Sequence, residues 1–437
     1  MKLAVVIGAA AQLAAATFGA TPTYSKDVAP ILFARCAGCH QPDDIAPMSL
    51  LSYKETRPWA KAIREAVVKR TMPPWHADPH YGRFANDPRL TDSEVEAIRA
   101  WVDAGAPDGD PKDLPSPPAR NGGWRLGKPD VVIDIGQDFK VEPSGPDEYT
   151  NFTVPVPFAE DRWILAAELR PGNRKVVHHA HAILMTEPRP GEKRESYPKD
   201  SAAAFMYREG KLGHMRTDAP VKNDGCAVDD AGNYYGRRNG MNGILASFLP
   251  GKGPDAYPPG TAKLIPAASK LRFQLHYSRT GKSETDRTMV GLYFAPKPPD
   301  RPLRRMDVSN FLFEIPAGAS SQQVTECHTF DKDVELLSLT AHMHFRGKDM
   351  RFDLVRPDGR LETLLSVPSY NFAWQTTYRL TEPVKVERGS RLIITAHFDN
   401  SPNNRWNPDP SKTIRWGEPS NEEMMDGWLE YVDGPTR

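Results

Sequence analysis

A proline-rich segment divides this chain into two parts with different hydrophobic patterns. Residues 106–123 contain five prolines and read as an extended, semi-rigid linker, which we assign to residues 108–123. Before this segment, apolar residues recur at helical spacing; after Trp124 they alternate in short runs typical of β-strands. Proline makes up 42 of 437 residues, about twice the usual ~5%. Because proline interrupts helix interiors and central strands, the β part should consist of short strands joined by many loops.

The predicted fold is therefore multidomain: a small all-α domain followed by two antiparallel, jelly-roll-like β-sandwiches. About 310 residues follow the linker, which is large for one sandwich, and the proline-rich run 296–302 offers a boundary between two. We predict a signal peptide, an all-α domain, a linker, a first sandwich and a second sandwich, over residues 1–20, 22–107, 108–123, 124–298 and 299–437.

The first twenty residues have the pattern of a signal peptide. Lys2 provides a positive charge, and residues 3–16 are apolar apart from Gln12, a run too short for a membrane span of ~20 residues. We expect a periplasmic or secreted protein with no membrane span after cleavage; an uncleaved anchor is the alternative. The 56 basic and 56 acidic residues balance, which argues against binding to nucleic acid.

The sequence Cys36-Ala-Gly-Cys39-His40 is the attachment pattern of a c-type haem. Both thiols can add to the haem, and the histidine then ligates the iron. A zinc site would need a second cysteine pair, and a thioredoxin-like motif would need a βαβ pattern; neither accompanies this motif. Residues 22–107 resemble the monohaem cytochrome c family, which implies one covalent haem c. A redox cysteine pair is the alternative.

Helical spacing predicts helices over residues 26–34 and 55–70, and a third that begins at the capping-box sequence 91–94. Met72 is the predicted second axial ligand of the haem, because it lies in a proline-stiffened loop between two helices. Three other side chains could take that role: Met48, His76 and His80.

Six of the twelve histidines cluster on strand-like segments of the β region: His178, His179, His181, His276, His342 and His344. His342 and His344 are two residues apart, so a strand places both rings on one face. Copper and zinc both accept imidazole, and two histidines packed on a strand need no metal at all. Spacing alone leaves these alternatives open.

The order of His178-His179, His276-Tyr277, His342-x-His344 and Met424 resembles that of copper type II, ascorbate-dependent monooxygenases, the peptidylglycine- and dopamine-hydroxylating enzymes, over residues 125–437. The resemblance implies two β-sandwiches, each with one copper, separated by an open, solvated space. It implies an electron-storing copper on the set His178, His179 and His276. It implies an O2-binding, substrate-hydroxylating copper on the set His342, His344 and Met424, whose thioether favours Cu(I).

Two ligand assignments have rivals nearby in sequence. A regular strand would place His179 and His181 on one face, so a site that uses His178 and His179 requires a β-bulge, and His181 is the possible substitute. Met425 is the rival of Met424.

The chain also departs from the peptide-amidating members of the family. Those members clamp the substrate carboxylate with an Arg and a Tyr, at positions that here hold Thr340 and Trp428. Peptidylglycine is therefore not the expected substrate, and Trp428 would offer an aromatic wall instead. Cys226 and Cys327 are left as either a disulfide or two buried thiols, whereas the family is disulfide-rich.

The sequence as a whole predicts an exported haem- and copper-dependent monooxygenase that hydroxylates a C–H bond of a small organic substrate with O2. Electrons would pass from an external donor, which is a redox protein, a quinol-linked donor or an ascorbate-like reductant, through haem c to the dicopper centre. The alternatives are a non-catalytic electron-transfer or copper-binding protein on the same fold, and a zinc-dependent hydrolytic protein with a cytochrome module. The sequence specifies neither the substrate nor the donor nor the oligomeric state.

Overall fold

The structure is a computed structural model that describes residues 21–435 except 43, 45, 119–122, 146–147, 186–242, 250–251, 311–312 and 418. The predicted signal peptide and Cys226 lie outside the described residues. The chain divides into a helical unit, Met1–Pro73 with Arg89–Pro118, and a β unit, Pro74–Pro88 with Ala119–Arg437. Within the described part of the chain, no helix is both long and apolar enough to cross a membrane.

Among its described residues, the helical unit contains four α-helices and three short turns of π-helix or 3₁₀-helix. The helices are α1 (Ala29–Arg35), α2 (Tyr53–Thr56), α3 (Ala60–Val68) and α4 (Asp92–Asp103). The turns are a π-helical turn Tyr24–Val28 that leads into α1, and 3₁₀ turns Arg57–Trp59 and Pro111–Asp113. The predicted start of the third helix is confirmed: the Glu94 backbone N–H donates to the Thr91 hydroxyl (3.2 Å), and the Thr91 N–H donates to the Glu94 carboxylate (2.7 Å). Trp101 and Leu32 are fully buried in the core of this unit.

The first half of the β unit contributes eleven strands among the described residues. They are β1 (Val131–Asp134), β2 (Phe139–Val141), β3 (Glu148–Pro155), β4 (Arg162–Arg170), β5 (Val177–Met185), β6 (Ile244–Phe248), β7 (Asp255–Ala256), β8 (Lys263–Ile265), β9 (Lys270–Tyr277), β10 (Glu284–Asp286) and β11 (Met289–Phe294). One sheet has the order β1-β11-β4-β7 with β8 beside β4, and the other has the order β3-β9-β5-β6. Apolar side chains of both sheets share one core, which makes this half a β-sandwich.

The described residues of the second half contribute ten strands and a second shared core. They are β12 (Arg304–Asn310), β13 (Glu314–Ile315), β14 (Gln322–Thr329), β15 (Val334–His342), β16 (Gly347–Val355), β17 (Leu361–Val367), β18 (Thr377–Val386), β19 (Arg391–Phe398), β20 (Ile414–Arg415) and β21 (Met425–Asp433). Its sheets have the orders β12-β21-β15-β18 and β14-β19-β16-β17. The paired strands are antiparallel, as the alternating sequence pattern predicts.

Residues 74–88 lie between α3 and α4 in sequence but pack on the second sandwich. The Ala85 N–H donates to the Arg379 carbonyl (2.8 Å), and the Thr381 N–H donates to the Arg83 carbonyl (2.9 Å), so this segment extends the edge of β18. The Trp75 ring lies 4.9 Å from that of Tyr378. The range predicted for the all-α domain is therefore interrupted by a segment that belongs to the β unit.

Candidate metal centre

A β-bulge brings the first set of histidines together. In the pairing of β5 with β9, His179 lies opposite His276, and the register shifts between Val177 and His179. His178 is the extra residue at this shift, and a bulge re-aims the side chain of such a residue. The bulge that a site with both His178 and His179 requires is therefore present.

One ring nitrogen from each of His178, His179 and His276 lies within 4.8 Å of the others. The Nδ1 atoms of His179 and His178 are 3.4 Å apart, and those of His276 and His179 are 3.1 Å apart. Burial, reinforced by the neighbouring histidines, holds the pKa of His179 well below its usual value. A neutral imidazole offers a lone pair, so the set can ligate a metal. Tyr149 stacks on the His276 ring at 4.3 Å and fixes its plane.

His181 stands apart from this set. Its Nδ1 lies 2.8 Å from the Ser247 hydroxyl, and its ring centroid is 5.9 Å from that of His179. Burial lowers the pKa of His181 to about 3. Within the described residues, the structure groups His178 rather than His181 with His179 and His276.

His342 is the last residue of β15, and His344 lies two residues beyond the end of the strand, so a single strand does not carry both histidines as the spacing predicted. Their ring centroids are 5.3 Å apart, with nearly perpendicular planes. The His342 Nδ1 lies 2.6 Å from the Gln375 Oε1, while the Gln375 amide nitrogen donates to the Phe372 carbonyl. This orientation of the amide makes His342 Nδ1 the donor and leaves its Nε2 unprotonated.

The same logic fixes the tautomer of His344. Its Nδ1 donates to the Glu422 carbonyl at 3.2 Å, because a carbonyl can only accept. Burial lowers the pKa of His342 to about 4 and that of His344 to about 3. Both rings therefore offer an unprotonated Nε2 as the ligand atom. In the set His178, His179 and His276, by contrast, the Nδ1 atoms lie close together.

Glu423 joins the segment that carries Met424 to the segment that carries His344. Its carboxylate accepts from the His344 backbone N–H (2.8 Å) and from the Arg346 N–H (2.6 Å). Burial raises the pKa of Glu423 to about 8. Met424 is only partly buried, whereas Met425 is fully buried in the second core. The rival Met425 is thus accounted for by packing, and Met424 remains the candidate ligand.

Trp428 is enclosed on both faces. Its ring stacks on His342 with centroids 4.8 Å apart and planes 16° apart, and the Arg305 guanidinium covers the other face at 4.5 Å. The expectation that Trp428 would offer a substrate an aromatic wall is wrong, because neither ring face is open. Sequence reasoning missed Gln375, Glu423 and Arg305, since each acts on a histidine that is distant in sequence.

Phe372 lies between the two histidine sets. Its ring centroid is 6.0 Å from that of His178 and 5.7 Å from that of His344. The resemblance implied an open, solvated space between the two metal sites. In this chain an aromatic side chain occupies part of that space.

The second donor set suits copper. The imidazoles of His342 and His344 are buried, neutral and fixed in tautomer, and such imidazoles bind copper or zinc. Met424, the residue after Glu423, carries a partly buried thioether, a soft ligand that favours Cu(I).

In the helical unit, His40 Nδ1 donates to the Met48 carbonyl at 3.3 Å, which leaves Nε2 for a metal. Burial raises the pKa of the Cys36 thiol to about 12, whereas a redox-active cysteine pair needs a thiol of lowered pKa. Met72 is 41% exposed, and Met48 packs against the helical core. The other axial candidates, His76 and His80, belong to the segment that packs on the β unit.

Residues 313–435 match the family model described as copper type II ascorbate-dependent monooxygenase, C-terminal domain. This stretch holds β13 to β21 and contains His342, His344 and Met424. The match supports a copper-dependent monooxygenase, an oxidoreductase, for the second sandwich.

No curated protein sequence matches the chain. Among solved structures, PNGF-II is 10% identical, with 69% of this chain and 65% of that chain covered, at a TM-score of 0.30. The major capsid protein P2 of bacteriophage PM2 is 8% identical, with 70% and 98% covered, at a TM-score of 0.27. This chain thus spans just under two thirds of PNGF-II, and scores this low carry no argument about function.

Proposed function

We propose that this protein is an exported haem- and copper-dependent monooxygenase that inserts one oxygen atom of O2 into a C–H bond of a small organic substrate. The observation that carries the proposal is the pairing of two histidine sets. A three-histidine cluster faces a His-x-His pair across Phe372, and the second set lies in the stretch that matches the copper monooxygenase domain.

Two copper ions would be held by this chain. His178, His179 and His276 would hold one, and His342, His344 and Met424 would hold the other. Copper supplies one-electron redox chemistry and a site for O2 when it is bound. The protein keeps the Nε2 atoms of His342 and His344 unprotonated. The Gln375 Oε1 and the Glu422 carbonyl accept hydrogen bonds from the Nδ1–H groups of His342 and His344. Both Nε2 lone pairs are therefore available to a metal.

The reaction needs two electrons and two protons for each O2, because one oxygen atom enters the C–H bond and the other becomes water. We assign their delivery to a haem c held by Cys36, Cys39 and His40, with Met72 as second axial ligand. The hydrogen bond from His40 Nδ1 to the Met48 carbonyl supports this role, since it leaves Nε2 unprotonated and able to ligate an iron. An external donor, which is a redox protein, a quinol-linked donor or an ascorbate-like reductant, would supply the electrons.

The location proposed is periplasmic or secreted. The support is the signal-peptide pattern of residues 1–20 together with a haem-attachment motif, because covalent attachment of haem occurs outside the cytoplasm.

A peptide carboxylate is not the group that this site recognises. The Thr340 hydroxyl donates to Thr377 at 3.0 Å, and Trp428 is enclosed, so neither side chain is available as a carboxylate clamp. The substrate proposed is therefore a small organic molecule other than peptidylglycine.

The test is metal analysis and oxygen consumption on full-length protein matured with haem and supplied with copper. The proposal expects one covalent haem, two copper ions, and O2 uptake coupled to the oxidation of a reductant. Copper without O2 uptake under any reductant would indicate an electron-transfer or copper-binding protein. Preferential retention of zinc would indicate a hydrolytic protein. Either of these results would overturn the proposal.

A further inference from the structure

Three planar groups are stacked at the second histidine set. The Arg305 guanidinium carbon lies 4.5 Å from the Trp428 ring centroid, and the other face of that ring lies 4.8 Å from His342, nearly parallel to it. A guanidinium over the face of an indole is a favourable cation–π arrangement. The orientation of the imidazole is thus tied to a cation on a different strand.

Strand register explains why these three residues meet. In the sheet β12-β21-β15-β18, Arg305 on β12 pairs with Glu430 on β21, and His342 on β15 pairs with Asp426 on β21. Trp428 is two residues from each of these partners, so its side chain leaves the same face of the sheet and lies between the other two. A register shift of one residue would separate all three.

Burial of the charged Arg305 side chain costs free energy. Its side chain is only 9% exposed, and its Nε donates to the Asp307 carboxylate at 3.2 Å. Its Nη2 is buried and has no hydrogen-bond partner within the described part of the chain. Apolar side chains in place of a buried ion pair are often neutral or stabilising, so stability alone does not account for an arginine here.

We propose that Arg305 is a positioning residue of the second metal set: through Trp428 it fixes the plane of His342, and its charge favours Cu(I) over Cu(II) at that set. The inference rests on the proposed function, because it assigns copper to His342, His344 and Met424.

The sign follows from electrostatics. A cation fixed near a metal disfavours the oxidation state with the larger positive charge, so Arg305 raises the reduction potential of the bound copper. With an effective dielectric constant of ~20, a unit charge at this range changes the Cu(II)/Cu(I) preference by about tenfold. Asp307 is paired with Arg305 in the wild type and remains in the variant, so the difference between the two potentials reports the charge of Arg305 alone.

The experiment is a potentiometric titration, followed by electron paramagnetic resonance, of the copper-loaded full chain. The signal that disappears in His342→Ala identifies the second set. Arg305→Met should lower the potential of that signal by about 59 mV, which corresponds to a tenfold change for a one-electron couple. The potential of the first set should not move.

Two further variants separate charge from stacking. Arg305→Lys keeps the charge but loses the planar contact with Trp428. The reduction potential of the second-set copper should therefore stay close to the wild-type value, while its hyperfine pattern changes. Arg304→Met is the matched control, because Arg304 is the adjacent residue with an exposed side chain paired to Asp433, and it should change neither readout. If Arg305→Met does not fold, Arg305→Gln provides the same neutral comparison.

An unchanged potential in folded, copper-loaded Arg305→Met or Arg305→Gln would overturn this inference and leave the proposed function intact. An equal shift in Arg304→Met would also overturn it. A wild-type chain that binds no copper at the second set would overturn both proposals.

Discussion

The Nδ1 atoms of His179 and His276 lie 3.1 Å apart across the paired strands β5 and β9. With the His178 Nδ1 3.4 Å from that of His179, three imidazoles converge on one small volume. Burial keeps the pKa of His179 low, so the charged form of this histidine is disfavoured and its ring offers a lone pair. The convergence is the geometry of a three-nitrogen metal site.

His276→Ala should reduce the bound copper from two ions to one. It removes one of three ligands, so we expect at least a ~100-fold loss of affinity at the first set, with the second set intact. His397→Ala is the control, because His397 pairs with Asp349 outside both sets and should keep both ions. Metal content after dialysis measures the result, and retention of both ions by His276→Ala would show that the assigned set is wrong.

Gln375→Ala should weaken copper only at the second set. The amide accepts the Nδ1 proton of His342 at 2.6 Å, and loss of such a partner frees the ring to rotate and to change tautomer. We expect a 10–100-fold lower affinity. Competition with a chelator of known affinity measures it, with Gln323→Ala, a substitution at an exposed glutamine, as the control. An affinity equal to that of wild type would contradict the tautomer assignment.

Phe372→Ala should perturb copper at both sets, because the ring lies 6.0 Å from His178 and 5.7 Å from His344. Removal of the ring opens the space between the two histidine sets to water. The electron paramagnetic resonance signals of both copper ions should therefore change. Phe84→Ala, a partly buried phenylalanine packed on Tyr378, is the control and should leave both signals alone. A change confined to one signal would show that Phe372 does not link the sets.

Glu430 should make the unfolding free energy depend on acid pH. Its carboxylate accepts from Lys263 at 3.0 Å and from Ser338 at 3.0 Å. Burial alone would raise the pKa of Glu430, but Lys263, Arg305 and Ser338 together lower it to about 2. A depressed pKa in the folded state gives stability that is full above the unfolded value of ~4.3 and is lost as the pH falls toward 2. The difference of roughly two pKa units corresponds to about 3 kcal/mol.

Urea unfolding of Glu430→Gln at neutral pH measures how much the ion pair between Glu430 and Lys263 contributes to the unfolding free energy. We expect a loss of about 3–5 kcal/mol, because Lys263 remains buried without its counter-charge. Asp358→Asn, which breaks an exposed pair with Arg360, should leave the unfolding free energy close to that of wild type. A stability of Glu430→Gln that is the same at pH 7 as wild type would contradict this account.

The proposed haem should remain attached to the chain after extraction with acidified acetone, because two thioether bonds to Cys36 and Cys39 would hold it. Replacement of Cys36 and Cys39 by alanine should make it extractable. Met72→Ala should lose the methionine–iron charge-transfer band while it keeps the haem, and Met48→Ala should keep that band. If only Met48→Ala loses the band, the axial ligand is Met48.

Local pattern made much of the fold predictable. The alternation of β19, the capping box at Thr91 and Glu94, and the change of period after the linker all depend on neighbours within a few residues. The identity and order of the candidate ligands are also local, since a His-x-His spacing can be read directly from the sequence, although β15 ends at His342 and the strand repeat does not extend to His344.

The sequence by itself therefore determined which side chains are candidate metal ligands and in what order they occur. Tertiary structure alone decided which of them meet. The bulge that turns His178 toward His276, the amide of Gln375 at His342, and the stack of Arg305 on Trp428 each join residues on different strands or loops. Such contacts depend on strand register and on the packing of sheets, which are properties of the whole chain, and no short window of sequence contains them.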